Sequence, residues 1–169
     1  MLVSTRWASL GGALLLITQT ASAQPANFVA PLSGHAEVPS VDTRARGLVH
    51  LQLDAAATEL SYRLTVSHLA GVTQAHIHCA PEGVNGPPVA FLFALMPAGV
   101  DVSGVLSSGG ITDANVIPRP DTPECPGGVT DLADVLEQME AGGTYVNVHT
   151  LEHPAGEIRG QLQAVGPGR

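Results

Sequence analysis

Two histidines separated by one residue are the strongest sign of chemistry in this sequence. They are His76 and His78, in the segment Gln74-Ala75-His76-Ile77-His78-Cys79. On a β-strand, alternate side chains share a face, and two residues advance the chain by roughly 6–7 Å. Both imidazoles can therefore reach one ion, as in many copper and zinc sites. The alternative is that both are solvated side chains on the wet face of a half-buried strand.

A second segment offers a third imidazole. In Tyr145-Val146-Asn147-Val148-His149-Thr150, the two valines share one face and His149 lies on the other. If the valines face the core, His149 points outward, as His76 and His78 do, and a neighbouring strand can bring the three together. We therefore predict a metal site of His76, His78 and His149, with copper ahead of zinc. Magnesium and calcium prefer oxygen ligands.

The remaining histidines are weaker candidates. His35 lies in a turn, and His153 follows His149 by four residues, so either is a conceivable extra ligand. His50 and His68 are expected to be solvated.

Two further charged residues, Glu157 and Arg159, are two positions apart on a predicted strand, and an ion pair between them or across the sheet is expected.

The sequence has no nucleophile-elbow motif and no phosphate loop, so serine-hydrolase and nucleotide chemistry have no support.

The two cysteines, Cys79 and Cys125, are predicted to form a disulfide. An even pair is most often oxidised outside the cytoplasm, and this bond would close a loop of 46 residues. The competing interpretation, thiolate metal ligands, requires reduced cysteines.

Alternation of apolar and polar residues predicts short β-strands. The clearest runs are 49–53 and 58–66, which are expected to form an antiparallel hairpin because only a short connection separates them. The other predicted strands are 28–32, 73–79, 89–95, 145–149 and 157–162.

One segment has helical periodicity. Apolar residues in 130–140 recur at i, i+3, i+4 and i+7, with Thr130 or Asp131 as the N-cap and Gly142 as the end. Residues 118–128 are rich in proline and glycine and predict an irregular loop. The expected fold is all-β: an antiparallel Greek-key sandwich or barrel, superoxide-dismutase-like or immunoglobulin-like, with one short helix.

The N-terminus predicts export. Residues 1–23 have one arginine, a short apolar run and the small residues Ala21-Ser22-Ala23, which is the pattern of a secretory signal peptide. Residues 24–169 are then one domain, working in the periplasm or outside the cell, without a membrane span. The formal net charge of -8 argues against nucleic acid as a partner.

Several motifs together resemble the CHRD (chordin) domain family over nearly the whole exported chain. The matching segments are Leu32-Ser33-Gly34, Glu37-Val38-Pro39, residues 43–47, Ala75-His76-Ile77-His78-Cys79-Ala80-Pro81-Glu82-Gly83, Asn85-Gly86-Pro87, Tyr145-Val146-Asn147-Val148-His149-Thr150 and Pro154-Ala155-Gly156-Glu157-Ile158-Arg159-Gly160-Gln161-Leu162. The resemblance implies a secreted β-sandwich module. The cysteine-rich repeats that accompany such modules in the animal protein that names the family are absent from this sequence.

A weaker resemblance is to copper/zinc superoxide dismutase, which also has a His-x-His strand near a disulfide cysteine. In that resemblance His76, His78 and His149 match three copper ligands. No histidine occurs between Cys79 and Val148, so the zinc loop and the bridging imidazole have no counterpart, and dismutase activity is not expected.

The sequence therefore leaves two main interpretations of function. The first is a secreted, non-catalytic module that binds an extracytoplasmic protein or glycan. The second is a copper-binding protein for storage, delivery or redox chemistry. The two are compatible, since a metal can be structural in a binding module.

Overall fold

A computed structural model describes residues 26–166, which form eight β-strands and one α-helix. The predicted signal peptide, residues 1–23, lies outside this part of the chain. The elements are β1 (Asn27–Ser33), β2 (Arg46–Leu53), β3 (Leu60–Cys79), β4 (Pro88–Phe93), β5 (Val100–Ile111), α1 (Leu132–Glu140), β6 (Thr144–Thr150), β7 (Ile158–Gln161) and β8 (Gln163–Val165). Single 3-10 turns follow β1 and β5.

The strands pair antiparallel in the order β2-β1-β7-β6-β3-β4. An additional pairing between β2 and β3 joins the first strand of this series to the fifth, so these five strands close into a barrel and β4 lies outside the ring, paired to β3. Apolar residues of alternate positions fill its interior, including Phe28, Leu64, Ile77 and Val148. The predicted all-β antiparallel fold with one short helix is confirmed.

Closure of the barrel depends on the length of β3. Its first half pairs with β2 and its second half with β6. The change of partner occurs where His68 and Gly71 have positive φ and the register with β5 shifts. The two predicted strands 58–66 and 73–79 are thus one bent strand, because pairing with β5 continues across the bend.

Two strands were missed by the sequence pattern. β5 is rich in serine and glycine and mostly exposed, so it lacks the alternation that marked the other strands, although its backbone pairs along β3 from Leu60 to Val72. β8 is a three-residue strand that pairs with β1. The hairpin of β2 and β3 has the predicted connection.

The helix and the disulfide agree with expectation. Asp131 is the N-cap of α1, accepting a hydrogen bond from the Asp134 backbone N–H, and Gly142 has the positive φ of a helix end. Cys79 at the end of β3 is bonded to Cys125 in the 118–128 loop, and both are fully buried. No helix in residues 26–166 is long and apolar enough to cross a bilayer.

Candidate metal centre

The three predicted histidines lie side by side on neighbouring strands. In the register of β3 and β6, His76 is opposite Asn147 and Gln74 is opposite His149. Residues of alternate positions on the same strands, Ile77 and Val148 among them, point into the core. The alternation read from the sequence thus assigns all three imidazoles to the opposite face, and the β3–β6 pairing makes them neighbours.

The histidines are buried, contrary to the expectation that they face solvent. His76, His78 and His149 are 5%, 8% and 7% exposed. Two loops cover this face of the sheet: residues 80–87 between β3 and β4, and residues 151–157 between β6 and β7. The Phe91 ring, itself 45% exposed, packs edge-on against His76 at a centroid distance of 4.4 Å. Alternation predicts which face a side chain occupies but not what covers that face.

The ring nitrogens are close enough to share an ion after a small adjustment. His76 Nδ1 lies 3.2 Å from His149 Nε2, and the three candidate ligand atoms are all within 4.8 Å of one another. Two nitrogens bonded at about 2.0–2.1 Å are separated by about 3.4 Å at a tetrahedral angle and by about 4 Å on opposite sides of an ion. The widest pair therefore needs to close by about 1 Å. No other group of this kind with three or more metal-ligating residues occurs in residues 26–166.

Main-chain carbonyls select the nitrogen that two of the rings present. His78 Nδ1 donates to the Gly86 carbonyl oxygen at 2.7 Å, and His149 Nδ1 donates to that of Pro154 at 2.9 Å. A carbonyl only accepts, so the proton is on Nδ1 and the lone pair on Nε2. His78 Nε2 is buried and has no hydrogen-bond partner. This is how metal-binding histidines are commonly oriented.

The surroundings keep the imidazoles neutral. Burial, followed by repulsion from His149 and His78, lowers the pKa of His76 to about 3. Burial likewise lowers the pKa of His78 to about 4, although its hydrogen bond to Gly86 opposes the shift. Burial also lowers the pKa of His149. At neutral pH all three rings are therefore uncharged, which is the form that binds metals.

A stack of three side chains lies next to the cluster. The Tyr145 ring is parallel to the His78 ring at a centroid distance of 4.7 Å, and the Arg159 guanidinium lies 3.3 Å from the centre of the Tyr145 ring. Arg159 also donates to Asn85 Oδ1 and to the Val84 carbonyl oxygen. It thereby holds the 80–87 loop, whose Gly86 orients His78, against the sheet.

The expected ion pair between Glu157 and Arg159 is not formed. Glu157 instead accepts hydrogen bonds from the hydroxyl groups of Thr43 and Thr150. Because Arg159 is only 2% exposed and bonds to the 80–87 loop and the Tyr145 ring, it serves the loop rather than a neighbouring carboxylate.

A buried carboxyl group near the cluster was not predicted from the sequence. Glu37 is 7% exposed, and burial raises its pKa to about 7 although the charge of Arg159 lowers it. Its Oε1 has no hydrogen-bond partner. In the sequence, Glu37 belongs only to the motif Glu37-Val38-Pro39, which carries no signal for its burial, because residues that lie near it, such as Asn147 and Gly156, come from distant parts of the chain.

The other histidines stay apart from the cluster. His35 and His50 are exposed, as is His68 at the bend in β3. His153 is half-buried, and its carbonyl oxygen accepts from the Thr150 and Gly156 backbone N–H groups. None of them belongs to the metal-ligating group.

Comparison with known proteins gives one match. The family model of the CHRD domain matches residues 28–162, from β1 to the end of β7. No curated protein and no solved structure matches the chain.

Proposed function

Because the chain belongs to the CHRD-domain family, we propose that it is an exported, non-catalytic binding module whose three-histidine cluster holds a copper or zinc ion. The observation that best supports a bound metal is the set of three buried, neutral imidazoles, whose ligand atoms lie within 4.8 Å of one another. Its partner is an extracytoplasmic protein or glycan.

The nature of the donor atoms supports copper first and zinc second. Three imidazole nitrogens suit both ions, whereas magnesium and calcium need oxygen ligands. Two of the rings are fixed by backbone carbonyls, so little side-chain entropy is lost when they bind an ion. A bound ion also gives a partner to His78 Nε2, which is otherwise a buried nitrogen without one.

Export is supported by two independent features. The N-terminal segment has the composition of a signal peptide, and a buried disulfide between Cys79 and Cys125 is typical of proteins that fold outside the cytoplasm. The CHRD-domain match is consistent with the same location.

The metal site is tested by counting copper and zinc per chain after loading and dialysis. We expect close to one ion for the protein without its leader, and less than about a tenth of that for His76→Ala/His78→Ala. The matched control is His50→Ala/His68→Ala, which removes two exposed histidines outside the cluster and leaves retention unchanged. Equal retention by the two double variants would contradict the assignment.

A second candidate is that the bound copper is itself the function, through storage, delivery or redox chemistry. The observation that favours it is the number of ligands, since three imidazoles leave coordination positions for exchange. Capture of a partner from extracytoplasmic extract by copper-free and copper-loaded protein separates the two. If the copper-free and copper-loaded proteins capture a partner equally, partner binding is the main function. If the protein captures no partner but transfers copper to a chelating acceptor, the copper function is favoured.

A further inference from the structure

One amide side chain lies among the three histidines. Asn147 is on β6, opposite His76 in the register with β3 and two residues from His149. A hydrogen bond from the charged form of His78 to the Asn147 side chain is the smallest of the causes that act on the pKa of that imidazole, and it raises the pKa. Asn147 is thus next to the His78 imidazole, and it is only 3% exposed.

The Asn147 amide oxygen has no hydrogen-bond donor. It is buried, and while His78 is neutral with its proton on Nδ1, no donor for this oxygen occurs in the described part of the chain. Buried polar atoms are nearly always satisfied, so an exception of this kind indicates a missing group. An ion bonded to the three imidazoles satisfies His78 Nε2, but a carbonyl oxygen that is not itself a ligand still needs an O–H or N–H donor.

The space around Asn147 is polar on its far side as well. A Cβ atom at Gly156 would lie 2.7 Å from Asn147 Nδ2 and 2.6 Å from Glu37 Oε1, so both side chains converge on this glycine. Glu37 Oε1 also lacks a partner. Asn147 thus presents its amide N–H₂ group to this glycine and leaves Oδ1 as the atom without a partner.

We propose that the metal carries an exchangeable water and that Asn147 Oδ1 accepts a hydrogen bond from this water, so that the site takes small ligands with an O–H or N–H donor. This rests on the proposed metal site, whose three imidazoles leave a coordination position open. Asn147 acts as a positioning residue: it holds the ligand of the ion without being a ligand itself. The class of ligand includes water and hydrogen peroxide.

The test is pulsed electron paramagnetic resonance of the Cu(II)-loaded protein after exchange into heavy water. We expect the deuterium modulation of a directly bound water in the wild type and its loss, by at least half, in Asn147→Leu, with copper content unchanged. Asn147→Asp keeps an acceptor oxygen and retains the signal. If Asn147→Leu does not fold, the smaller Asn147→Val takes its place.

The outcomes separate the two levels of inference. Copper bound by the wild type without a ligand water, or an Asn147→Leu signal equal to that of the wild type, overturns the role of Asn147 and leaves the metal site standing. A wild type that binds no copper overturns the metal site and this inference together.

Discussion

Acidification from pH 7 to pH 5 should destabilise the metal-free protein through its buried histidines. In this range the unfolded chain protonates His76 and His78, whose ordinary pKa is 6.5, while the folded protein keeps both neutral because their pKa values are about 3 and 4. The unfolded state then binds more protons than the folded state, so the free energy of unfolding decreases as the pH decreases. The stability that the two neutral histidines contribute is fully present above pH 6.5. It is lost as the pH falls to about 4 for His78 and to about 3 for His76.

The magnitude follows from the pKa differences. Each pKa unit corresponds to about 1.4 kcal/mol, and pH 5 lies about 1.5 units below the unfolded value, so each histidine removes at most about 2 kcal/mol. Solvent screening reduces the pKa shifts of these two rings, so about 4 kcal/mol is an upper bound for the pair. His149 acts in the same direction.

Glu37 opposes this loss. Burial raises its pKa to about 7 from 4.5, so between these values the folded state binds the extra proton and stability rises as the pH falls. From pH 7 to pH 5 this gain is about 2 kcal/mol. His76, His78 and Glu37 together therefore lower the free energy of unfolding by at most about 2 kcal/mol in the wild type, and by at most about 4 kcal/mol in Glu37→Gln, which cannot titrate at this position. The loss from His149 adds to both values.

Urea unfolding at pH 7, 6 and 5 in the presence of a chelator measures these differences. The control is His50→Gln, which removes an exposed histidine and keeps the wild-type pH dependence. His78→Gln should lose less than the wild type, because one of the two titrations is gone. The reasoning is refuted if Glu37→Gln and His78→Gln both show the same dependence on pH as the wild type.

Two further predictions concern the covalent and main-chain supports of the site. Reduction of the Cys79–Cys125 bond, whose loop spans 46 residues, should lower the free energy of unfolding by about 4 kcal/mol and the melting temperature by on the order of 10 °C in calorimetry; an unchanged melting temperature would contradict this. Gly86→Ala places a Cβ 2.0 Å from the Cys79 carbonyl oxygen, so it should displace the acceptor of His78 Nδ1 and weaken copper about 10-fold or more in competition titrations. Val84→Ala, which shortens an exposed side chain in the same loop, is the control, and equal affinities of the two variants would exclude the role of Gly86.

The sequence predicted the parts of this protein that depend on local alternation. The face shared by His76 and His78, the opposite orientation of Ile77, and the helix with Asp131 at its start all follow from periods of two or of 3.6 residues. β5 was not predictable in this way, because its serine and glycine residues contribute backbone pairing to β3 and few buried side chains.

The histidine site could not be predicted from the alternation of apolar and polar residues alone. Which strand neighbours β3 is decided by the closure of the barrel, and this pairing is what brings His149 to His76. The orientation of His78 and His149 comes from backbone atoms of two loops, the carbonyl oxygens of Gly86 and Pro154. Every residue has such a carbonyl, so no side-chain pattern marks these two as the groups that orient the ligands. The consequence is general for centres of this kind: ligand types can be read from a strand, whereas the atoms that fix their tautomers have to be found in three dimensions.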